Sequence, residues 1–108
     1  MYEYKCKLLR IVDGDTIDVD IDLGFSIHQK NRIRLSGIDT PEIRTRDTVE
    51  KKRGFAAKNR LAELLPEEFI IRTKYDNRGK YGRVLGTLIV DDVNINELLV
   101  LEGHAIKI

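Results

Sequence analysis

No apolar run in the sequence is long enough to cross a membrane, so no transmembrane span is expected. The opening residues, Met1-Tyr-Glu-Tyr-Lys-Cys-Lys7, place no apolar stretch after a basic one. They are not a signal peptide, and a cytoplasmic location is the default, with secretion the alternative if a leader has been removed. The only cysteine, Cys6, excludes an internal disulfide and reads as a small, packed strand residue. His28 and His104 are far apart, and no His/Cys cluster has ligand-like spacing, so zinc is not expected and both histidines read as surface residues. Repeats, low-complexity tracts and an internal linker are missing too, so the 108 residues form one domain over 1–108. Its small core suits a closed sheet with one or two helices.

A charge excess is also missing. The net charge of +1 argues at first against a polyanionic partner. The distribution reverses that. Asp13, Asp15, Asp18, Asp20 and Asp22 crowd one segment, Lys30 to Arg60 is mostly basic, and Arg72, Lys74, Arg78, Lys80 and Arg83 form a third block. Local basic surfaces bind polyanions even when the sum is near zero.

What is present is a pattern of short strands. Tyr2 to Val12 alternates weakly and ends at the turn dipeptide Asp13-Gly14. From Asp15 the alternation is clean, with Ile17, Val19, Ile21 and Leu23 inward and Asp18, Asp20 and Asp22 outward as ordinary exposed charges. Parity puts Asp15 on the apolar side. Gly24 to Asn31 reads as an irregular hairpin and Arg32 to Ile38 as a third strand. Asp47 with Glu50 reads as a capping-box variant that opens a helix carrying Ala57, Leu61, Leu64 and Leu65, stopped by Pro66, with Gly54 as a weak point. Phe69–Lys74 and Arg83–Val90 are the fourth and fifth strands, and Gly86 suggests a bend. Asn94 with Glu97 caps a short helix to Glu102, before Gly103. The tail from His104 alternates and reads as a returning extended segment. The expected fold is mainly β with added helices: a five-stranded OB-fold barrel, with a helix between strands 3 and 4 and a short helix after strand 5.

The stretch Arg34-Leu-Ser-Gly-Ile-Asp-Thr-Pro-Glu42 organises the rest. Pro41 fixes its own φ and pushes Thr40 out of the helical region, so Asp39, Thr40 and Glu42 lie on a stiff corner. Carboxylates held close repel one another unless a cation or arginines offset the cost. If Asp15 and Asp39 converge, two carboxylates and the Thr40 carbonyl suit Ca²⁺. Arg34 and Arg83 are planar forks for phosphate oxygens, across a phosphate-sized gap from the acids, and Glu42 stands where it can hold and deprotonate a water. Together these are the parts of a metal-assisted phosphodiester hydrolase.

Val12-Asp-Gly-Asp-Thr16, the Arg34–Glu42 stretch and Lys80-Tyr-Gly-Arg83, followed by Val93-Asn-Ile-Asn-Glu97, resemble the staphylococcal nuclease family over nearly the whole chain. The resemblance implies an OB-fold nuclease that cleaves DNA and RNA at the P–O5′ bond in a Ca²⁺-dependent reaction, leaving 3′-phosphate ends. It makes Asp15, Asp39 and the Thr40 carbonyl the calcium ligands, Glu42 the residue that orients or deprotonates the attacking water, and Arg34 and Arg83 the phosphate clamp. Tyr81 either packs on a base or closes the core edge. The partner expected is nucleic acid, preferably single-stranded or frayed, handled by a monomer without membrane attachment. The better-known secreted members continue past Ile108, with a nucleotide-stacking tyrosine and a third helix. The competing reading is a non-catalytic nucleic-acid-binding module of the same fold. The presence of Asp15, Asp39 and Glu42 weighs against it, because a pure binder gains nothing from acids beside a polyanion.

Overall fold

The computed structural model describes residues 2–75 and 84–108. Strand β1 (Tyr2–Asp13) pairs antiparallel with β2 (Thr16–Asp22) on one edge and with β5 (Glu68–Tyr75) on the other. Strand β3 (His28–Leu35) pairs with β2, and β6 (Val84–Val90) pairs with β5. A parallel pairing of β3 with β6, at Ile33 to Val84, Arg34 to Leu85 and Leu35 to Gly86, closes these five strands into a barrel. Closure removes most free edges from the sheet. Short strands β4 (Ile38–Asp39) and β8 (Ile106–Lys107) form a separate antiparallel pair, and β7 (Val93–Asn94) extends β6. Helix α1 (Thr48–Leu64) lies between β4 and β5, and α2 (Ile95–Leu101) follows β7. Among the described residues no helix is long and apolar enough to cross a membrane.

The weak alternation of β1 has a structural cause. Its register against β2 shifts between Leu8 and Arg10 and again between Ile11 and Asp13. Such bulges coil a long strand so that it can serve two neighbours. Ile17, Val19, Ile33, Leu35, Ile71 and Leu88 fill the barrel and are almost wholly buried, with Leu61 of α1 and Ile95 and Leu99 of α2 closing it. Cys6 is buried in the same cluster, and burial pushes its thiol up to about 12, which leaves it unreactive.

Four expectations change. The strand expected over Arg32–Ile38 starts earlier, at His28, because residues 28–31 pair with β2 although all four are polar and carry no apolar signal. It also breaks after Leu35, where Gly37 turns the chain at φ +76 before β4. Leu23 is exposed rather than inward, since it sits beyond the last pair of β2 at the turn. Asp18 and Asp20 are half-buried, not free surface charges. Asp18 takes a two-point contact from Arg32 (Nε 2.8 Å, Nη2 3.2 Å), and that hydrogen bond holds its carboxyl below the usual range. Gly86 marks no simple bend: a Cβ there would come within 2.5 Å of Ile33 Cγ2, so the glycine lets β6 approach β3 where the barrel closes.

Asn96 ties this closure to α2. Its buried amide accepts from Leu88 N at 3.1 Å and donates to Gly86 O and Ser36 O at 3.0 Å each. One side chain thus satisfies three main-chain groups of β6 and the β3–β4 turn. Asn96→Ala is expected to lower the unfolding free energy by about 3 kcal/mol, since it strands buried partners at roughly 1–3 kcal/mol each. Urea unfolding measures this, and a loss below ~1 kcal/mol would show that water replaces the amide.

Candidate active site

The register of the barrel brings the sequence-predicted residues together. Thr16 stands opposite Arg34 in the β2–β3 ladder, so Asp15 lies at the end of β3. Leu35 N donates to Asp15 O at 2.8 Å and fixes the Asp13–Asp15 turn there. Beyond the Gly37 turn, β4 delivers Asp39 to the same place. The pairing of β4 with β8, and a hydrogen bond from Ile108 N to Gly37 O at 3.0 Å, hold that strand.

Arg34 is the centre of the arrangement. Its Nη1 donates to Leu35 O at 3.0 Å and to Ile38 O at 2.9 Å. Its Nη2 lies 3.2 Å from Asp39 Oδ1 and 3.4 Å from Asp15 Oδ2. Two carboxylates far apart in the chain therefore meet at one nitrogen. The guanidinium does not face the acids across a phosphate-sized gap, as expected from the sequence, but touches both. Its side chain is 18% exposed. The pair with the buried Asp15 is consequently stronger than a surface ion pair, the pair with the half-exposed Asp39 is weaker, and together they offset the repulsion between the acids.

Thr40 is buried, and its amide N donates to Asp15 Oδ2 at 3.2 Å. Thr16 Oγ1 donates to Asp15 Oδ1 at 3.1 Å. Burial alone would raise the Asp15 pKa. The hydrogen bond with Asp13, the Arg34 charge and the Thr40 donors outweigh it and hold Asp15 below the usual carboxylate range. Glu42 is exposed, and its carboxylate makes no hydrogen bond or ion pair among the described residues. Arg83 and Tyr81 lie outside the described residues.

Asp13 joins this site and was not singled out by sequence reasoning. Its Oδ1 accepts from Asp15 N at 3.3 Å. Burial, then the hydrogen bond to the Asp15 carboxylate and the charge of that group, push it up to about 6. Its signal was the Asp-Gly-Asp spacing itself, which places two carboxyls on one tight turn.

Helix α1 is the buttress behind these groups. A Cβ at Gly54 would stand 2.8 Å from Pro41 O and 2.9 Å from Glu42 O. A Cβ at Gly14 would meet Ala57 Cβ at 2.8 Å and Thr40 Oγ1 at 3.0 Å. Gly54, read from the sequence as a weak point, is where the helix seats against the Pro41–Glu42 backbone. Asp47 caps the helix by accepting from Val49 N and Glu50 N.

The family model described as "Staphylococcal nuclease homologue" matches residues 32–108. The thermonuclease of Staphylococcus intermedius is 38% identical over 98 residues, which cover 89% of this chain and 55% of that protein. The endonuclease YncB of Bacillus subtilis is 36% identical over 101 residues, covering 89% and 44%. The micrococcal nuclease of Shigella flexneri is 34% identical over 113 residues, covering 95% and 58%. The chain spans about half the length of these relatives.

The raised Asp13 carboxyl gives a pH signature. It ionises near 3.8 in the unfolded chain and near 6 in the fold. Its contribution to stability is complete below pH ~3.8 and is lost as the pH rises through about 6. Asp13→Asn cannot ionise and escapes that loss. The melting temperature of the variant minus that of the parent should therefore increase from pH 4 to pH 7. Melts followed by circular dichroism measure it, and a flat or falling difference would mean that Asp13 is already ionised at pH 4.

Proposed function

The chain belongs to the family of staphylococcal nuclease homologues, and from that premise we propose that it is a Ca²⁺-dependent phosphodiester hydrolase. It cleaves DNA and RNA at the P–O5′ bond with little sequence selectivity and prefers single-stranded or frayed substrate. The observation that most supports this is the meeting of Asp15 and Asp39 at a single Arg34 nitrogen.

The donor chemistry fits a hard cation. The Asp15 and Asp39 carboxylates with the Thr40 carbonyl make an all-oxygen set. These three residues would hold the ion, with water completing its shell. When bound, Ca²⁺ polarises the scissile phosphate and offsets the charge that builds on it.

The chain's own residues do the rest. Arg34 is immobilised by two main-chain carbonyls and two acids, and its Nε–H has no acceptor among the described residues. It is thus pre-oriented to donate to a phosphate oxygen, and preorganised donors are worth most where charge develops. Arg83 supplies the second fork. Glu42, exposed on the Pro41 corner, orients a water and takes its proton as the water oxygen attacks phosphorus. The P–O5′ bond breaks, solvent protonates the leaving oxygen, and the ends are a 3′-phosphate and a 5′-hydroxyl. Phosphate contacts carry no sequence information, which accounts for the low selectivity.

Excess chelator is expected to abolish cleavage of a labelled single-stranded DNA, and added Ca²⁺ to restore it. Undiminished cleavage in chelator would sink the metal role, and tight binding without cleavage under any divalent ion would identify a binding module instead. Arg34→Lys keeps the charge beside Asp15 and Asp39 but loses the fork. It is expected to lower turnover roughly 100-fold. A melt of the same variant separates this loss from unfolding, and near-parent turnover in a folded variant would show that Arg34 is not part of the clamp.

A further inference from the structure

A cleft of about 320 Å³ opens beside the Asp39–Pro41 corner. Glu50 and Arg53, on the first turns of α1, form its second wall, and the segment from His104 to Ile106 forms the third. Its volume is at the small end of ligand sites, about 300–1,000 Å³.

Two features of this cleft go beyond filling space. Glu50 was expected to complete a capping box by returning to Asp47 N. That amide bonds instead to Thr45 Oγ1 at 3.2 Å, while Asp47 itself caps the helix. The Glu50 carboxylate is therefore released from capping and lines the cleft. It forms no hydrogen bond or ion pair among the described residues, and neither does the Arg53 guanidinium, although the two are three residues apart on one helix face. An acceptor and a donor thus stand side by side with unused capacity. The remaining walls include the flat Pro41 ring and the exposed Ile106 side chain.

A phosphate group suits this lining poorly, since Glu50 and Asp39 would both repel it. A flat, apolar ring with donors and acceptors on its edge suits it well. We propose that the cleft is a subsite for the nucleobase next to the scissile phosphodiester, with Pro41 and Ile106 against its faces and Glu50 and Arg53 hydrogen-bonding its edge. Because the cleft shares Asp39 and Thr40 with the reaction site, a base held there abuts the phosphate under attack. The proposal rests on the nuclease reading above and adds to it a contact that positions the substrate through one base, whichever base it is. Single-stranded nucleic acid presents its bases unpaired for this kind of contact, and duplex does not.

The test uses single-stranded oligonucleotides with one cleavable phosphodiester, flanked on either side by a base or by a stable abasic sugar. The parent should cleave the base-bearing substrate about tenfold faster in kcat/KM than the substrate abasic on the cleft side, in line with a good edge contact. Glu50→Ala and Arg53→Ala should lose most of that factor, chiefly through KM, and should cleave the abasic substrate within about twofold of the parent. Variants that slow both substrates equally, or neither, would overturn the subsite. If the parent cleaves nothing with any divalent ion, the nuclease reading fails on its own. The subsite is then judged by titrating deoxyadenosine and deoxycytidine into the protein and following amide NMR shifts. Shifts centred on Glu50, Arg53 and His104 would support it, and their absence would overturn it.

Discussion

One guanidinium holds the site together. Arg34 donates to the carbonyls of Leu35 and Ile38, which fixes the turn between β3 and β4, and the same group lies against Asp15 and Asp39. Without it, the buried Asp15 and the Asp39 carboxylate would face each other with no countercharge, beside a third carboxyl on Asp13. Removing one partner from such a cluster leaves a poorly solvated charge, a larger penalty than the loss of a surface ion pair. The geometry of the corner and its electrostatics therefore depend on the same two terminal nitrogens of one guanidinium.

The barrel exists, from this viewpoint, to aim that side chain. β3 pairs antiparallel with β2 and parallel with β6, so Arg34 is flanked by Thr16 on one side and Leu85 on the other. The parallel pairing fails if β6 cannot approach closely, which is the role of Gly86 against Ile33. Asn96 then locks the junction from α2. The helix α1 does the corresponding work for the corner, with Gly54 and Ala57 one turn apart and pressed on Pro41, Glu42 and Gly14. Neither contact is apolar burial in the ordinary sense. Each is a close approach of backbone that a larger residue would push apart.

These facts explain what could be read in advance. The parity of Ile17, Val19 and Ile21 placed Asp15 inward, and Pro41 marked the corner, because alternation and proline act locally. The order of strands and helices gave the barrel for the same reason. The break at Gly37 was not legible, since Ser36-Gly37 falls between two stretches of apolar alternation and only its positive φ distinguishes it. Gly54 reads as a weak point of a helix and Gly86 as a bend in a strand. Their partners, Pro41, Glu42 and Ile33, are distant in sequence, and a missing side chain says nothing about what approaches it. Glu50 has capping-box spacing, yet Thr45 supplies the bond it would have made. Asp13 was passed over because a turn aspartate is common, and only its neighbour's carboxylate makes it unusual.

The charge layout carries the last step. The proposed activity requires a polyanion to reach a place lined by acids. Along β3 the basic residues Arg32 and Lys30 stand opposite Asp18 and Asp20 of β2, so the ladder offsets much of that charge itself. Arg44, Arg46, Lys51 and Lys52 are exposed and make no ion pair among the described residues. Lys51 and Lys52 lie within about one helical turn of Gly54, a rise of ~5 Å, and Arg44 and Arg46 follow Glu42 closely along the chain. Salt at physiological strength screens exposed charges over about 8 Å, so only cations this close to the corner can outweigh Asp39 and Glu42 for an incoming strand. The seat of α1 on the Pro41–Glu42 backbone is then electrostatic as well as mechanical. It keeps these basic side chains near the acids, and the net charge of +1 hides their uneven placement along the chain.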